Sequence, residues 1–385
     1  MPEPQNPREE HVANSPVRLI PADKGQAEPT TGMGLCLSGG GYRAMLFHLG
    51  ALIRLNELGS LQRLTRISSV SGGSITAGVL ALHWKDLAFV DGVATKFDLV
   101  LKPLLELAGT TIDLWAVAKG KLLPGTVSHF VAEAYKKHLY GDATLQELPD
   151  APRFVFNATS VQSMVLWRFS KPYMADYRVG MVRSPRVPLA VAVAASSSFP
   201  PVLSPMDLKL DQPCEDMEGT DLHRPPFTTK VVLTDGGVYD NLGLETVWKQ
   251  DRTVLVSDGG GGYGAEEEPW HEWAMHALRI NSIIDSQVRS LRKRQVIEGF
   301  KSGTRNGTYW GIRSHIADYK VEAPLPASEE LTLKLANTPT RLASMPDDLR
   351  DQIVNWGYAI CDAAMRKHVI VSAVPPKFPR PHPLG

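Results

Sequence analysis

Between Met33 and Leu87 the chain twice passes from an apolar, strand-like run through a glycine-rich turn into a helix-like run. Two successive strand–turn–helix units point to a parallel sheet with helical crossovers. The first turn is the more restrictive. Leu35-Cys36-Leu37 leads into Ser38-Gly39-Gly40-Gly41-Tyr42-Arg43, and a helical stretch from Ala44 to Leu58 follows. Glycine has no Cβ to hold a ligand off the main chain. The first amides of the following helix lack intrahelical partners and carry the positive end of its dipole. Such a turn suits a negative oxygen, whether of a bound phosphate or of a transition state.

The second turn narrows the choice. Leu64 to Val70 reads as a strand and Gly72 to Leu82 as a helix, with Ser71 between them in Ser69-Val70-Ser71-Gly72-Gly73. This approximates the Gly-x-Ser-x-Gly elbow, in which a serine occupies a strained strand-to-helix turn, with Ser69 standing in place of the first glycine. A third element lies far downstream, where the β-rich run Lys230 to Thr234 stops at Asp235-Gly236-Gly237. A serine hydroxyl needs a base to act as a nucleophile. Aspartate, with a pKa of about 4, is a weak base in water, but burial raises that value. Each feature also has a plain structural reading. Ser71 fits a helix N-cap, Asp235 a turn residue, and Arg43 a surface salt bridge. The glycine run lacks the Lys-Ser/Thr ending of a nucleotide loop, and Ala44 breaks the Gly-x-Gly-x-x-Gly spacing.

Taken in order, the three turns resemble those of the patatin-like phospholipases. The Ser-Gly-Gly-Gly-aromatic-Arg-Ala-Met form, here Ser38 to Met45, is also similar to the catalytic domain of the cytosolic group-IV phospholipases. The resemblance runs from about Met33 to Gly243, with weaker echoes to about Lys367. It implies a three-layer α/β/α fold with a mostly parallel central sheet and loop or helix insertions over the active site. It implies a Ser–Asp dyad without histidine, with Ser71 as nucleophile and Asp235 as base, acting on carboxylic esters of phospholipids. The amides of Gly40 and Gly41 would form the oxyanion hole, and Arg43 would steady a lipid phosphate or the local charge. Gly39, Gly73, Gly236 and Gly237 would support these turns. No cofactor or metal is implied. A short-chain esterase, a thioesterase and a phospholipase effector that needs an activating ligand remain open readings.

The rest of the chain adds few competitors. His271, His276, His315 and His368 follow Asp235 but sit in no glycine-rich strand-end loop, and His48 reads as a core residue of the first helix. Cys36, Cys214 and Cys361 are dispersed, which fits a reducing compartment and gives no metal-binding spacing. Asp258 and the four glycines after it lack the spaced carboxylates of a calcium loop. Lys+Arg and Asp+Glu both number 41, so no basic footprint for nucleic acid is present. There is no apolar run of the ~18 residues that a membrane span needs and no signal-peptide pattern. The expectation is therefore a cytoplasmic enzyme with at most peripheral membrane contact. The oligomeric state is not legible.

Residues 1–31 read as a polar arm, 32–370 as one hydrolase domain and 371–385 as a Pro-rich tail. Within 97–140, the apolar stretches Leu99 to Leu107 and Trp115 to Leu123 suit either a cap over the site or packing on the core. The basic cluster Arg289, Arg292, Lys293 and Arg294 reads as a solvated helix face. Ile353, Trp356, Ile360 and Ala364 recur at helical spacing, which predicts a terminal amphipathic helix over 346–367.

Overall fold

A computed structural model describes residues 29–113, 127–262, 264–370 and 374–385. The polar arm, apart from Pro29 to Thr31, and the stretch from Trp115 to Leu123 lie outside the described residues. Strands β1 (Thr30–Leu37) and β2 (Arg66–Val70) each feed a helix, α1 (Gly41–Glu57) and α2 (Gly72–His83). A small hairpin, β3 (Phe89–Val90) and β4 (Val93–Ala94), precedes α3 (Asp98–Ala108) and α4 (Val127–Tyr135). There follow β5 (Arg153–Ser160), β6 (Leu166–Phe169), β7 (Tyr173–Asp176), β8 (Gly180–Arg183), α5 (Leu189–Ser196) and β9 (Met206–Lys209). The chain closes with β10 (Lys230–Asp235), β11 (Asp251–Asp258), α6 (Trp273–Lys301), β12 (Asn306–Gly311), α7 (Glu329–Ala336) and α8 (Asp347–His368).

The main sheet runs β12-β11-β1-β2-β5-β6-β7-β8. From β12 to β5 every pair is parallel, as the repeated strand–turn–helix pattern requires. From β5 to β8 the strands form an antiparallel meander. The middle strands carry apolar side chains on both faces, so the sheet is buried between helical layers. Leu35, Leu37 and Leu255 belong to the larger core beneath α1, α2 and α8. Cys36, Val254 and Val256, one residue out of step, belong to a smaller core with Leu242, Val247 and Val296 on the opposite face. The result is the three-layer α/β/α arrangement that the sequence implied.

β10 settles the position of the functional turns. β2 pairs with one edge of β5 as far as Val70 opposite Asn157. β6 occupies the other edge of β5 from Phe156 to Thr159. β10 pairs antiparallel with β5 from Ala158 onward, with Asp235 opposite Ala158. It can do so only on the edge that β2 has just vacated. β2 and β10 therefore meet end to end, and their final residues converge.

Helix α8 matches the predicted terminal helix, and its Ile353, Trp356, Ile360 and Ala364 are buried. It crosses α1 at two glycines. A Cβ at Gly50 would stand 1.9 Å from the Val354 carbonyl oxygen, and one at Gly357 would stand 1.9 Å from that of Phe47. The segment 374–385 docks against α8, and its Val374 carbonyl accepts from Arg54 Nη2 of α1 at 2.9 Å. Asn355 Nδ2 donates to the Arg380 and His382 carbonyls at 3.1 and 2.7 Å, Arg380 pairs with Asp351 at 2.6 Å, and Leu384 is buried.

Three members of the basic cluster on α6 differ from the solvated face expected of them, whereas Arg294 is exposed as expected. Lys293 and Arg289 reach the buried Asp258 at 2.8 and 3.6 Å, and Arg292 reaches Glu245 at 3.2 Å. Burial alone would raise the Asp258 carboxyl, yet these cations and the Tyr309 hydroxyl hold it well below the usual carboxylate range. A sequence does not show which cations of a helix point inward, and the buried carboxylate that recruits them lies on another element.

Candidate active site

Ser71 stands at the junction of β2 and α2 with φ +52° and ψ −120°. A non-glycine residue held there stores on the order of 1–3 kcal/mol of strain, which the surroundings must over-determine. They do so through close backbone approach. A Cβ on Gly72 would lie 2.1 Å from the Gly41 carbonyl oxygen, and one on Gly73 would lie 2.5 Å from that of Leu37. The serine and glycine turns are therefore packed main chain against main chain. Ser71 N–H donates to Ser196 Oγ at 3.1 Å, and Ser196 Oγ in turn donates to the Asn157 carbonyl at 2.6 Å. The Ser71 side chain makes no capping hydrogen bond to α2. Its hydroxyl is not spent on holding the helix.

Asp235 is the last residue of β10 and is 1% exposed. Its Oδ1 accepts the Gly237 N–H at 2.7 Å. Its Oδ2 has no hydrogen-bond partner among the described residues. Burial pushes the carboxyl up to about 7, against the pull of the Gly237 amide and the Ser71 hydroxyl. Gly236 is pressed on the Asn157 carbonyl, where a Cβ would approach to 2.2 Å.

In the glycine turn, Gly39 N–H donates to the Asn241 carbonyl at 3.0 Å and Tyr42 N–H to that of Arg341 at 3.1 Å. No backbone hydrogen bond among the described residues uses the N–H of Gly40 or Gly41. Gly40 has φ +141°, open only to glycine, and lines the cavity described below. Gly41 sits behind it, between the Arg341 backbone and Gly72. Buried Arg43 spans the turn, with Nε donating to the Gly259 carbonyl at 3.1 Å and Nη1 to that of Thr338.

Two residues outside the motifs hold this arrangement. His48 is buried, with Nε2 2.9 Å from the Ser38 carbonyl and Nδ1 2.8 Å from Ser257 Oγ, and burial lowers its pKa to about 4. It is a neutral strut between the glycine turn and β11, in keeping with a core reading. Asn241 packs its Oδ1 against both Gly39 and Gly237, bridging the glycine turn and the Asp235 turn. Its place after the Asp-Gly-Gly turn suggests a residue that positions the Asp235 loop; the bridge to Gly39 is what the sequence does not show.

A cavity of about 730 Å³ opens over the convergence. Ser71, Asp235, Gly39, Gly40 and Arg43 line it, together with Phe199, Leu278, Ile284 and Val288. This is the mixture of an apolar wall and a few converging polar groups that ligand sites show. No histidine lines it among the described residues. Its cover comes from α6, from residues 199–201 and from residues 336–340. The described part of 97–140 contributes nothing to the lining; Val100, Leu104 and Leu107 pack into the core. Among the described residues no group of His, Cys, Asp and Glu is arranged to hold a metal ion.

The model of the patatin-like phospholipase family matches residues 35–248, more than half of the chain and all three turns. The chain belongs to this family. Among solved structures, the patatin-like chain is similar to human GIVD cytosolic phospholipase A2, at 13% identity and TM-score 0.43, covering 64% of this chain and 47% of that one. It is similar to VipD from Legionella pneumophila at 15% identity and TM-score 0.37, covering 88% of this chain and 67% of that one. It thus spans about half the length of the human protein. No curated protein sequence matches it. No described helix is long and apolar enough to cross a membrane.

Proposed function

We propose that this patatin-like protein is a phospholipase A-type acyl hydrolase working through Ser71 and Asp235. The observation that carries the proposal is the end-to-end meeting of β2 and β10, which sets a strained serine beside a buried carboxyl raised to about 7. A base titrating near neutrality is matched to its task. Asp235 Oδ2 takes the proton as Ser71 Oγ attacks the ester carbonyl. The alkoxide that develops on the carbonyl oxygen is held by the Gly40 and Gly41 amides at the N-terminus of α1. Removing one such donor costs about 3–4 kcal/mol of transition-state stabilisation. The proton passes to the departing alcohol, and water activated by Asp235 then releases the fatty acid from acyl-Ser71. Arg43, fixed to two carbonyls, holds the loops around the oxyanion site and contributes positive potential there.

The apolar wall suits an acyl chain. Trp270 and Trp273, at the entry to α6, are 68% and 81% exposed, and Met275 and, farther along the helix, Ile283 are exposed as well. Apolar surface of this kind next to a ligand cavity marks contact with a lipid phase or a partner. The test is covalent labelling by a fluorophosphonate probe with the modified peptide located by mass spectrometry. Labelling at Ser71, lost in Ser71→Ala together with hydrolysis of phospholipid vesicles, is expected. Full esterase activity in Ser71→Ala would sink the assignment. Hydrolysis of soluble short-chain esters or thioesters in preference to vesicles would redirect the substrate class.

A further inference from the structure

A second cavity, of about 340 Å³, lies on the sheet face that Glu245–Trp248 covers, at the other end of β2 from Ser71. Its cationic lining follows from strand register. Arg66 of β2 and Arg153 of β5 are direct partners across their parallel pair. Arg168 of β6 is opposite Asn157, four residues along β5 from Arg153, so all three side chains leave the same face of adjacent strands. Like charges set side by side on neighbouring strands repel one another.

Local carboxylates do not balance them. Asp251 takes Arg66 at 3.3 Å, while Glu245 is shared by Lys249 at 2.6 Å and Arg292 at 3.2 Å. Asp176, close enough to feel the charge of Arg168, accepts instead from Ser163 Oγ and the Arg178 N–H. Among the described residues neither Arg153 nor Arg168 makes an ion pair or side-chain hydrogen bond. Arg168 rests over the Tyr173 ring, 6.0 Å from its centre. Tyr177 and Tyr239 complete an aromatic rim.

We propose that this cavity binds a small phosphate-bearing anion between Arg66, Arg153 and Arg168. Guanidinium forks match phosphate oxygens in pairs, and three of them converge here on a concave surface. Tyr239 belongs to the helical turn Gly237–Asp240 that directly follows Asp235, so an occupant abuts the segment carrying the carboxylate.

Phenylglyoxal modification of the full chain, read by mass spectrometry with and without inorganic pyrophosphate, tests this without relying on a variant. Pyrophosphate is expected to protect Arg153 and Arg168. Calorimetric titration should show saturable binding, weakened at least about tenfold by Arg153→Gln and by Arg168→Gln. Protection by vesicles containing phosphatidic acid, but not by soluble pyrophosphate, would assign the same phosphate chemistry to a lipid headgroup. No protection by either, or pyrophosphate affinity unchanged in both variants, overturns the proposal.

Discussion

The Asp235 carboxyl carries a pH signature that two measurements should read with opposite signs. Burial raises it to about 7 in the fold, whereas an unfolded chain ionises it near about 4. The folded state therefore retains a proton through an interval in which the unfolded state has lost it. Stability from this group is complete below about pH 4 and is lost as pH rises through about 7. Asp235→Asn cannot ionise. Its melting temperature relative to wild type should climb between about pH 5 and about pH 8, while its turnover is abolished. In the wild type, kcat/KM should rise through a single ionisation near 7, because only the ionised carboxylate accepts the serine proton. A flat profile across that range would separate Asp235 from the chemistry. At this scale the candidate residues were legible because each sits in a turn whose glycines are dictated by main-chain contact. Ser196 and the reach of Asn241 to Gly39 were less so: a contact between elements distant in sequence leaves no local spacing to detect.

At the scale of elements, strands and helices around the first two turns follow from apolar runs bounded by glycine, and α8 from its helical period. Its closeness to α1 does not, since a glycine inside a helix reads only as a weak point. Here it is what lets two backbones touch. Gly357→Ala would drive a methyl into the Phe47 carbonyl. A destabilisation of about 1–3 kcal/mol, as for other overpacked cores, is expected from urea unfolding. An equally stable variant would mean that the crossing relaxes freely. Helix α6 shows the reverse limitation. Its Arg289 and Lys293 look like surface charges until Asp258 is found beneath them, and the same helix supplies Leu278, Ile284 and Val288 to the cavity. A stretch that both neutralises a buried acid and walls a binding site has no single periodicity to betray it.

Over the whole molecule, the strand–turn–helix units predicted a parallel sheet and the family resemblance a layered α/β/α domain, and the structure has that form. The antiparallel arrival of β10 was beyond the sequence, because it depends on which edge of β5 is free. The Pro-rich segment 374–385 contributes to the whole more than its composition suggests, since it caps α8 through Asp351 and Asn355. Truncation after His368 should lower the melting temperature while leaving Ser71 open to the fluorophosphonate probe, as no residue of 374–385 lines the cavity over Ser71. Loss of labelling in a truncated chain that remains folded would show instead that the tail supports the active site.

The convergence of β2 and β10 has one more consequence. The two strands are paired not with each other but each with β5. The gap between Ser71 and Asp235 is therefore measured out along a third strand, by the single step from Asn157 to Ala158. β5 acts as a splint across a butt joint. One residue of slippage in it would shift the carboxylate by about 3.3 Å and turn it to the other face of the sheet. The spacing of Ser71 and Asp235 can thus be retuned, or lost, without a change at either residue.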